Sequence, residues 1–182
     1  MELLSSDQAK EWCRERRLAI QSDFPFSIEF PPENGTPLGV PLPRDAQRSI
    51  ALANVILMSV VEEDDEDRFE GGLLWFRDWN IGSETVQRVG LNLLQRVRGS
   101  PTDVYDLSGR PAHLLDRSQL VTAQTLLMLP MVFRWDAYYV PHSGRWLAFV
   151  SHEGFVQVQT QSELLASELA GRFDRGGWLQ KQ

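Results

Sequence analysis

The sequence predicts an α+β fold: a mostly antiparallel sheet of four to six strands, with four to five helices packed on it. Three observations carry this expectation. Residues 135–160 (WDAYYVPHSGRWLAFVSHEGFVQVQT) hold three aromatic-rich runs, Trp135–Val140, Arg145–Val150 and Phe155–Thr160. Two four-residue segments that each close on glycine, Pro141–Gly144 and Ser151–Gly154, separate them, which is the spacing of a C-terminal three-stranded meander. Segments with helical periodicity, several opened by a capping box, alternate with strand-like runs over the rest of the chain. A length of 182 residues without an internal repeat suits a single domain, 1–182, around one core.

From the N-terminus, Ser5-Ser6-Asp7-Gln8 has the form of a capping box, and Ala9, Trp12, Cys13 and Ile20 follow at helical spacing. They predict an amphipathic helix over residues 6–21, with Lys10, Glu11, Arg14, Glu15 and Arg17 facing water. Phe24–Phe30 alternates as a strand, and Pro25 places it at an edge or delays its start. Five prolines between residues 31 and 43 predict a stiff, extended connection. Asp45 opens a second helix with Ile50, Ala53, Leu57 and Val61 as its buried stripe; Ala51–Met58 is apolar enough to be a buried strand instead, and periodicity leaves both open.

An acidic loop, 62–70, follows, and then a strand at Leu73–Trp79. Ser83 can cap a third helix with Val86, Val89, Leu93, Leu94 and Val97 on one face, stopped by Gly99-Ser100-Pro101. Residues 100–115 read as loop. Asp116 and Gln119 repeat the capping-box form and begin a fourth helix that ends at or before Pro130. After the meander, Thr160 and Glu163 make one more box for a last helix through Leu164, Leu165, Leu169 and Phe173. The tail, 174–182, is loose unless Trp178 docks.

A net charge of −7 and a pI near 5.0 oppose nucleic acid as a partner, because phosphate binding needs a concentrated basic surface. Six consecutive acids, Glu62–Asp67, read as a solvated loop extended by self-repulsion. A decoy for a basic partner, or a weak calcium site, is the sharper alternative, although the run lacks the ligand spacing and glycine of an EF-hand loop. Cys13 is the sole thiol, which favours a reducing compartment. The N-terminus reaches charged residues too early for a signal peptide, and the longest apolar stretch, Ile50–Val61, is interrupted by Asn54 and Ser59. The expectation is a cytoplasmic protein with no membrane association, no metal and no cofactor.

Aromatic side chains project from both faces of the predicted meander, so either both faces are covered or one presents an apolar surface to a partner. Two carboxylates sit inside apolar runs: Asp78 in LLWFRDW and Asp136 in VFRWDAYY. Burying a carboxylate is costly unless it is paired. Arg77 and Arg134 offer cross-strand partners. Alternatively, Asp78 and Asp136 anchor a cleft lined by Trp75, Trp79, Trp135 and Tyr138 for a sugar-like or cationic ligand, or act as an acid/base pair on a glycoside.

His142 and His152 lie in successive turns of the meander, hence at opposite ends, and cannot share a metal. Ser151-His152-Glu153 lists the residue types of a hydrolytic triad, but neighbours in a tight turn cannot form the relay. No nucleophile elbow, phosphate loop or dinucleotide fingerprint is present, Cys13 reads as core, and no residue is assigned as catalytic.

The order of these motifs resembles a group of small bacterial proteins with no assigned activity, which share LLWxxDW, a Gly/Ala-His-Leu loop, WDxY and FVSH[DE]. Here the matches are Leu73–Trp75 with Asp78-Trp79, Ala112-His113-Leu114, Trp135-Asp136 with Tyr138, and Phe149–Glu153. The resemblance implies a bacterial origin and a compact domain, and no reaction. Sequence and resemblance together lead to a non-catalytic binding or regulatory protein, with a protein partner or a second copy of itself as ligand. Immunity-like masking of a basic partner belongs to this class. The alternative is a small-molecule or carbohydrate-processing enzyme using Asp78 and Asp136.

Overall fold

The computed structural model describes residues 1–21, 27–30, 37–58, 68–78, 85–99 and 109–179, with the backbone alone for Asp78 and residues 85–87. The elements are β1 (Glu2–Leu4), α1 (Ser6–Glu15), β2 (Ala19–Gln21), β3 (Ser27–Glu29), β4 (Leu38–Pro41), α2 (Ala46–Leu57), β5 (Gly72–Asp78) and α3 (Thr85–Arg98). They continue with β6 (Ala112–Leu115), α4 (Leu120–Phe133), β7 (Asp136–Pro141), β8 (Trp146–Ser151), β9 (Phe155–Thr160) and α5 (Glu163–Arg175). Seven strands form one antiparallel sheet in the order β1-β6-β5-β7-β8-β9-β4, and β2-β3 form a separate hairpin. The fold is α+β, and residues 50–57 are helix.

The meander forms as its glycines require. Gly144 (φ 64°) donates its N–H to the Pro141 carbonyl at 2.9 Å, and Gly154 (φ 96°) donates to Ser151 at 3.0 Å. Ser151 pairs with Phe155, which leaves a three-residue loop with Gly154 in the left-handed position, a G1 bulge. That fixes the register. Leu74, Tyr139, Ala148 and Val158 line up on one face, and Trp75, Tyr138 and Phe149 on the other.

Both faces are covered. Helices α2 to α5 contribute Leu52, Ile56, Leu94, Leu126, Leu169 and Phe173 to the core over the first face. The smaller layer of α1 and the β2-β3 hairpin contributes Ala9, Trp12, Cys13, Ile28 and Phe30 over the second. Strand β9 lies beyond the small layer, so Val156 and Val158 are buried while Phe155, Gln157 and Gln159 are half-buried.

Several elements differ from expectation for identifiable reasons. The capping box of α1 is made: Ser5 N–H donates to Gln8 Oε1 at 2.9 Å and Gln8 N–H to Ser5 Oγ at 3.3 Å. The helix nevertheless stops at Glu15, where Arg17 turns left-handed (φ 60°) and Leu18 N–H closes on the Cys13 carbonyl; Ile20 belongs to β2, opposite Ile28. The proline-rich stretch contains β4, an edge strand, where a residue without an N–H is tolerated. Within the expected loop 100–115, residues 112–115 form β6, held between β1 and β5.

Asp116 and Gln119 do exchange a box-like bond, Asp116 N–H to Gln119 Oε1 at 3.1 Å, but it closes the turn before α4. That helix runs through Pro130 to Phe133, where Arg134 in the left-handed region (φ 56°) caps it; the Pro130 carbonyl accepts the Arg134 and Trp135 N–H groups. Helix α5 is capped by Ser162, whose Oγ accepts Leu165 N–H at 3.3 Å, in place of Thr160. Trp178 docks against the main core, and half-buried Leu179 packs beside it. Phe24, Pro25, Val61, the acidic run Glu62–Asp67, Trp79, Ser83 and residues 100–108 lie outside the described residues.

Candidate functional site

The six residues singled out by the sequence fall on different parts of the sheet. Trp75 and Tyr138 are cross-strand partners on the α1 face, both buried. Trp135 is buried on the opposite face, edge-on to Phe76 and stacked on Phe133. These three rings line no common cleft, since the sheet separates Trp135 from the other two. Trp79 and the Asp78 side chain lie outside the described residues, and the backbone register sets Asp78 directly opposite Asp136.

The expected Arg–Asp pairing is not what satisfies Asp136. Its Oδ1 accepts the His152 backbone N–H at 2.8 Å and the His152 ring at 2.8 Å; a carboxylate can only accept, so Nδ1 donates. His152 is 51% exposed while Asp136 is almost fully buried. Arg77 turns elsewhere: its guanidinium donates to the Tyr138 hydroxyl, which also takes the Ile28 N–H, and it sits 5.6 Å from the Phe149 ring centre. Burial raises the Tyr138 hydroxyl above the usual phenol range, and those two donors partly offset it. The Arg134 backbone caps α4, and its guanidinium lies beside Gly154.

The other histidines serve the frame. His142 anchors the β7–β8 turn, donating from Nε2 to the Leu115 carbonyl at 3.1 Å. His113 is wholly buried in β6: it accepts the Arg98 Nε–H at 2.9 Å and faces the Leu74 carbonyl with Nδ1 at 3.3 Å, so it is neutral with the proton on Nδ1. Burial first, and then the Arg98 cation, push it down to about 3. Burial pushes the Cys13 thiol up to about 12, which removes it as a nucleophile. Among the described residues no cluster of His, Cys, Asp and Glu could hold a metal, and no helix is long and apolar enough to cross a membrane.

The most unusual surface was not singled out by the sequence. Helix α4 lies between α2 and α3. Its segment, LVTAQTLLMLPMVF, carries no charge, and its polar side chains are Thr122, Gln124 and Thr125 alone. Such a helix belongs in an interior. Its inner side is buried, yet Val121 (73% exposed), Thr125 and Val132 (51% exposed) face outward at spacings of four and seven residues, with half-buried Met128 between them. Ile50 of α2 and Leu93 of α3, both expected in the core, stand partly exposed on either side. Ile50, Leu93, Thr125 and Val132 line a groove of ≈ 420 Å³ together with Met128, Leu129 and Phe133.

The misplaced stripes of α2 and α3 have one cause. Their buried faces are centred on Leu52, Ile56 and Leu57, and on Gly90, Leu91 and Leu94. That rotation leaves Ile50, Val89 and Leu93 toward the surface, beside α4. The legible signal was the absence of charge in α4; which of its sides stays open is decided by packing. Compared with protein-family models, with curated proteins and with solved structures, the chain matches none.

Proposed function

We propose that the protein works by binding a protein partner in the groove between α2, α3 and α4, as a non-catalytic cytoplasmic regulator. One observation carries the reading: a helix with no charged residue leaves Val121 and Val132 exposed and Met128 half-exposed on its outer side, beside exposed Ile50 and Leu93. Soluble monomers seldom keep such a surface without a use for it. A groove of ≈ 420 Å³ between helices suits a few anchoring side chains of a partner. Masking of a basic partner by this acidic chain would need carboxylates here, and α2, α3 and α4 contain none. The partner class therefore follows the groove and not the net charge.

Affinity capture with three proteins tests this: wild type, the double variant Leu93→Ser/Val132→Ser, and Leu164→Ser, which removes an exposed leucine of α5 outside the groove. The expected result is a protein retained by wild type and Leu164→Ser and lost with the double variant. Identical capture by all three would refute the role.

A second reading has its own support. The β5–β7 register places Asp78 opposite Asp136, and Asp136 orients an imidazole whose Nε2 has no partner among the described residues. A carboxylate-oriented histidine on a half-exposed turn is the arrangement of a general base. In that reading His152→Gln abolishes turnover on an ester or glycoside panel at a temperature where the variant is still folded by circular dichroism. A panel untouched by the wild-type protein would remove it.

A further inference from the structure

We infer that Arg134 is the carboxylate anchor of the His152 turn, so that the ligand taken there is a small molecule bearing a carboxylate. Where that ligand is a substrate, the inference rests on the second reading above and makes it a carboxylate-bearing ester. The first observation is the backbone. Arg134 holds the left-handed conformation (φ 56°) that ends α4, where glycine is the usual residue because it has no Cβ to strain. An arginine is kept there against that cost, and residues held in such conformations cluster at functional sites. The helix dipole favours a cation at this end, but the Pro130 carbonyl accepts the backbone N–H groups of Arg134 and Trp135 and not the guanidinium.

The second observation is where the guanidinium lies. Its Nη1 sits 2.9 Å from the place a Cβ on Gly154 would occupy, so the missing side chain of Gly154 makes room for it. Gly154 is two residues from His152 in the same three-residue loop. Nη1 is buried there with no hydrogen-bond partner among the described residues, while Arg134 as a whole is half-buried and so not sealed from solvent. Asp136, two residues along the chain, pairs with His152 instead, at 2.8 Å. A part-buried cation without a counter-ion is costly, and a bound anion offsets that cost.

The turn offers an incoming group its side chains and not its backbone. The N–H groups of His152, Glu153 and Gly154 are taken by Asp136 Oδ1 at 2.8 Å, Ser151 Oγ at 3.2 Å and the Ser151 carbonyl at 3.0 Å. The Gly154 carbonyl accepts Leu42 N–H at 2.9 Å. A loop tied at every residue holds its side chains in place, and with Nδ1 donating to Asp136, Nε2 is the ring atom left for a ligand. One guanidinium answers one negative charge. A phosphate dianion would set its second charge beside Asp136 and exposed Glu153, so the group that fits is a carboxylate. In turnover, water gives its proton to Nε2 and its oxygen to the acyl carbon; the ester C–O bond breaks, and the proton leaves Nε2 with the departing alkoxide.

Two matched esters test this, mono(4-nitrophenyl) adipate and the neutral 4-nitrophenyl hexanoate, with adipate itself as a binding probe followed at the three histidine rings by NMR. Expected for the anionic ester is a kcat/KM higher by about tenfold or more. Adipate, but not sodium chloride of equal ionic strength, should shift the His152 ring signal, which is identified by its loss in His152→Gln. Arg134→Gly, which the left-handed cap accepts, removes the preference, through KM, and the shift as well. Equal rates on the two esters, lost in His152→Gln, with no adipate shift overturn the carboxylate anchor and leave the general-base reading standing. An Arg134-dependent shift without turnover of either ester removes the general-base reading and leaves the anchor. A shift that persists in Arg134→Gly, or none at all, overturns the inference.

Discussion

Helices α1 and α4 are both packed against the central sheet, and they meet water in opposite ways. Helix α1 buries Ala9, Trp12 and Cys13 and turns charges outward, with Lys10 3.6 Å from Asp7 and Arg14 3.1 Å from Glu11. Exposed pairs like these are worth about 0–1 kcal/mol each, so they do not hold the helix in place. They show that its outer side is meant for solvent. Helix α4 buries seven residues, from Ala123 to Phe133, and has no charge to turn outward. The difference separates a finished surface from an unfinished one.

Several measurements would break or sharpen that contrast. The largest effect is expected in acid, on the helical side. Folded His113 is held neutral, with its proton affinity down at about 3, whereas in the unfolded chain it titrates near the ordinary ~6.5. The unfolded state therefore binds a proton that the folded state refuses between these values. The His113 contribution is intact above about pH 6.5 and is lost as pH falls toward 3, by up to ~1.4 kcal/mol per pH unit. Stabilities from urea melts should fall as pH is lowered across this range for wild type, and His113→Gln should flatten that fall.

Next in size, Leu126→Ala beneath α4 should cost about 2–5 kcal/mol in chemical denaturation, since it hollows a fully buried site. Gly90→Ala should cost about 1–3 kcal/mol despite alanine's better helix propensity. A Cβ there would lie 2.7 Å from Trp135 Cζ2 and 2.8 Å from Phe133, so two packed rings would have to move. Ser5→Ala should cost about 1 kcal/mol by removing the α1 cap, read as a lower melting temperature. Val132→Ala should change stability by less than about 0.5 kcal/mol. A loss at Val132 as large as that at Leu126 would mean that the outer stripe supports the fold and is no docking surface.

Local chemistry was legible where a few neighbouring residues decide the outcome. Gly144 and Gly154 fix the meander turns, and Ser5 with Gln8 starts α1, because each depends only on contacts three residues apart. Strand β6 was invisible as a strand. Four residues, Ala112–Leu115, become one only because β1 and β5, distant in sequence, pair on either side. At the candidate sites, the embedded Asp136 could be recognised as needing a partner. Its identity could not, since His152 reaches it only after the β8–β9 turn folds back beside β7. For α4 the composition was plain and its meaning was not, because an uncharged helix reads as interior until its neighbours fail to cover it.

The lone thiol has a practical consequence. Cys13 is sealed between α1 and the sheet, so a thiol-reactive dye can mark it only during moments when the small layer lifts away. The chain thus carries its own clock for that opening: the labelling rate reads the stability of one layer separately from the whole, without an engineered probe.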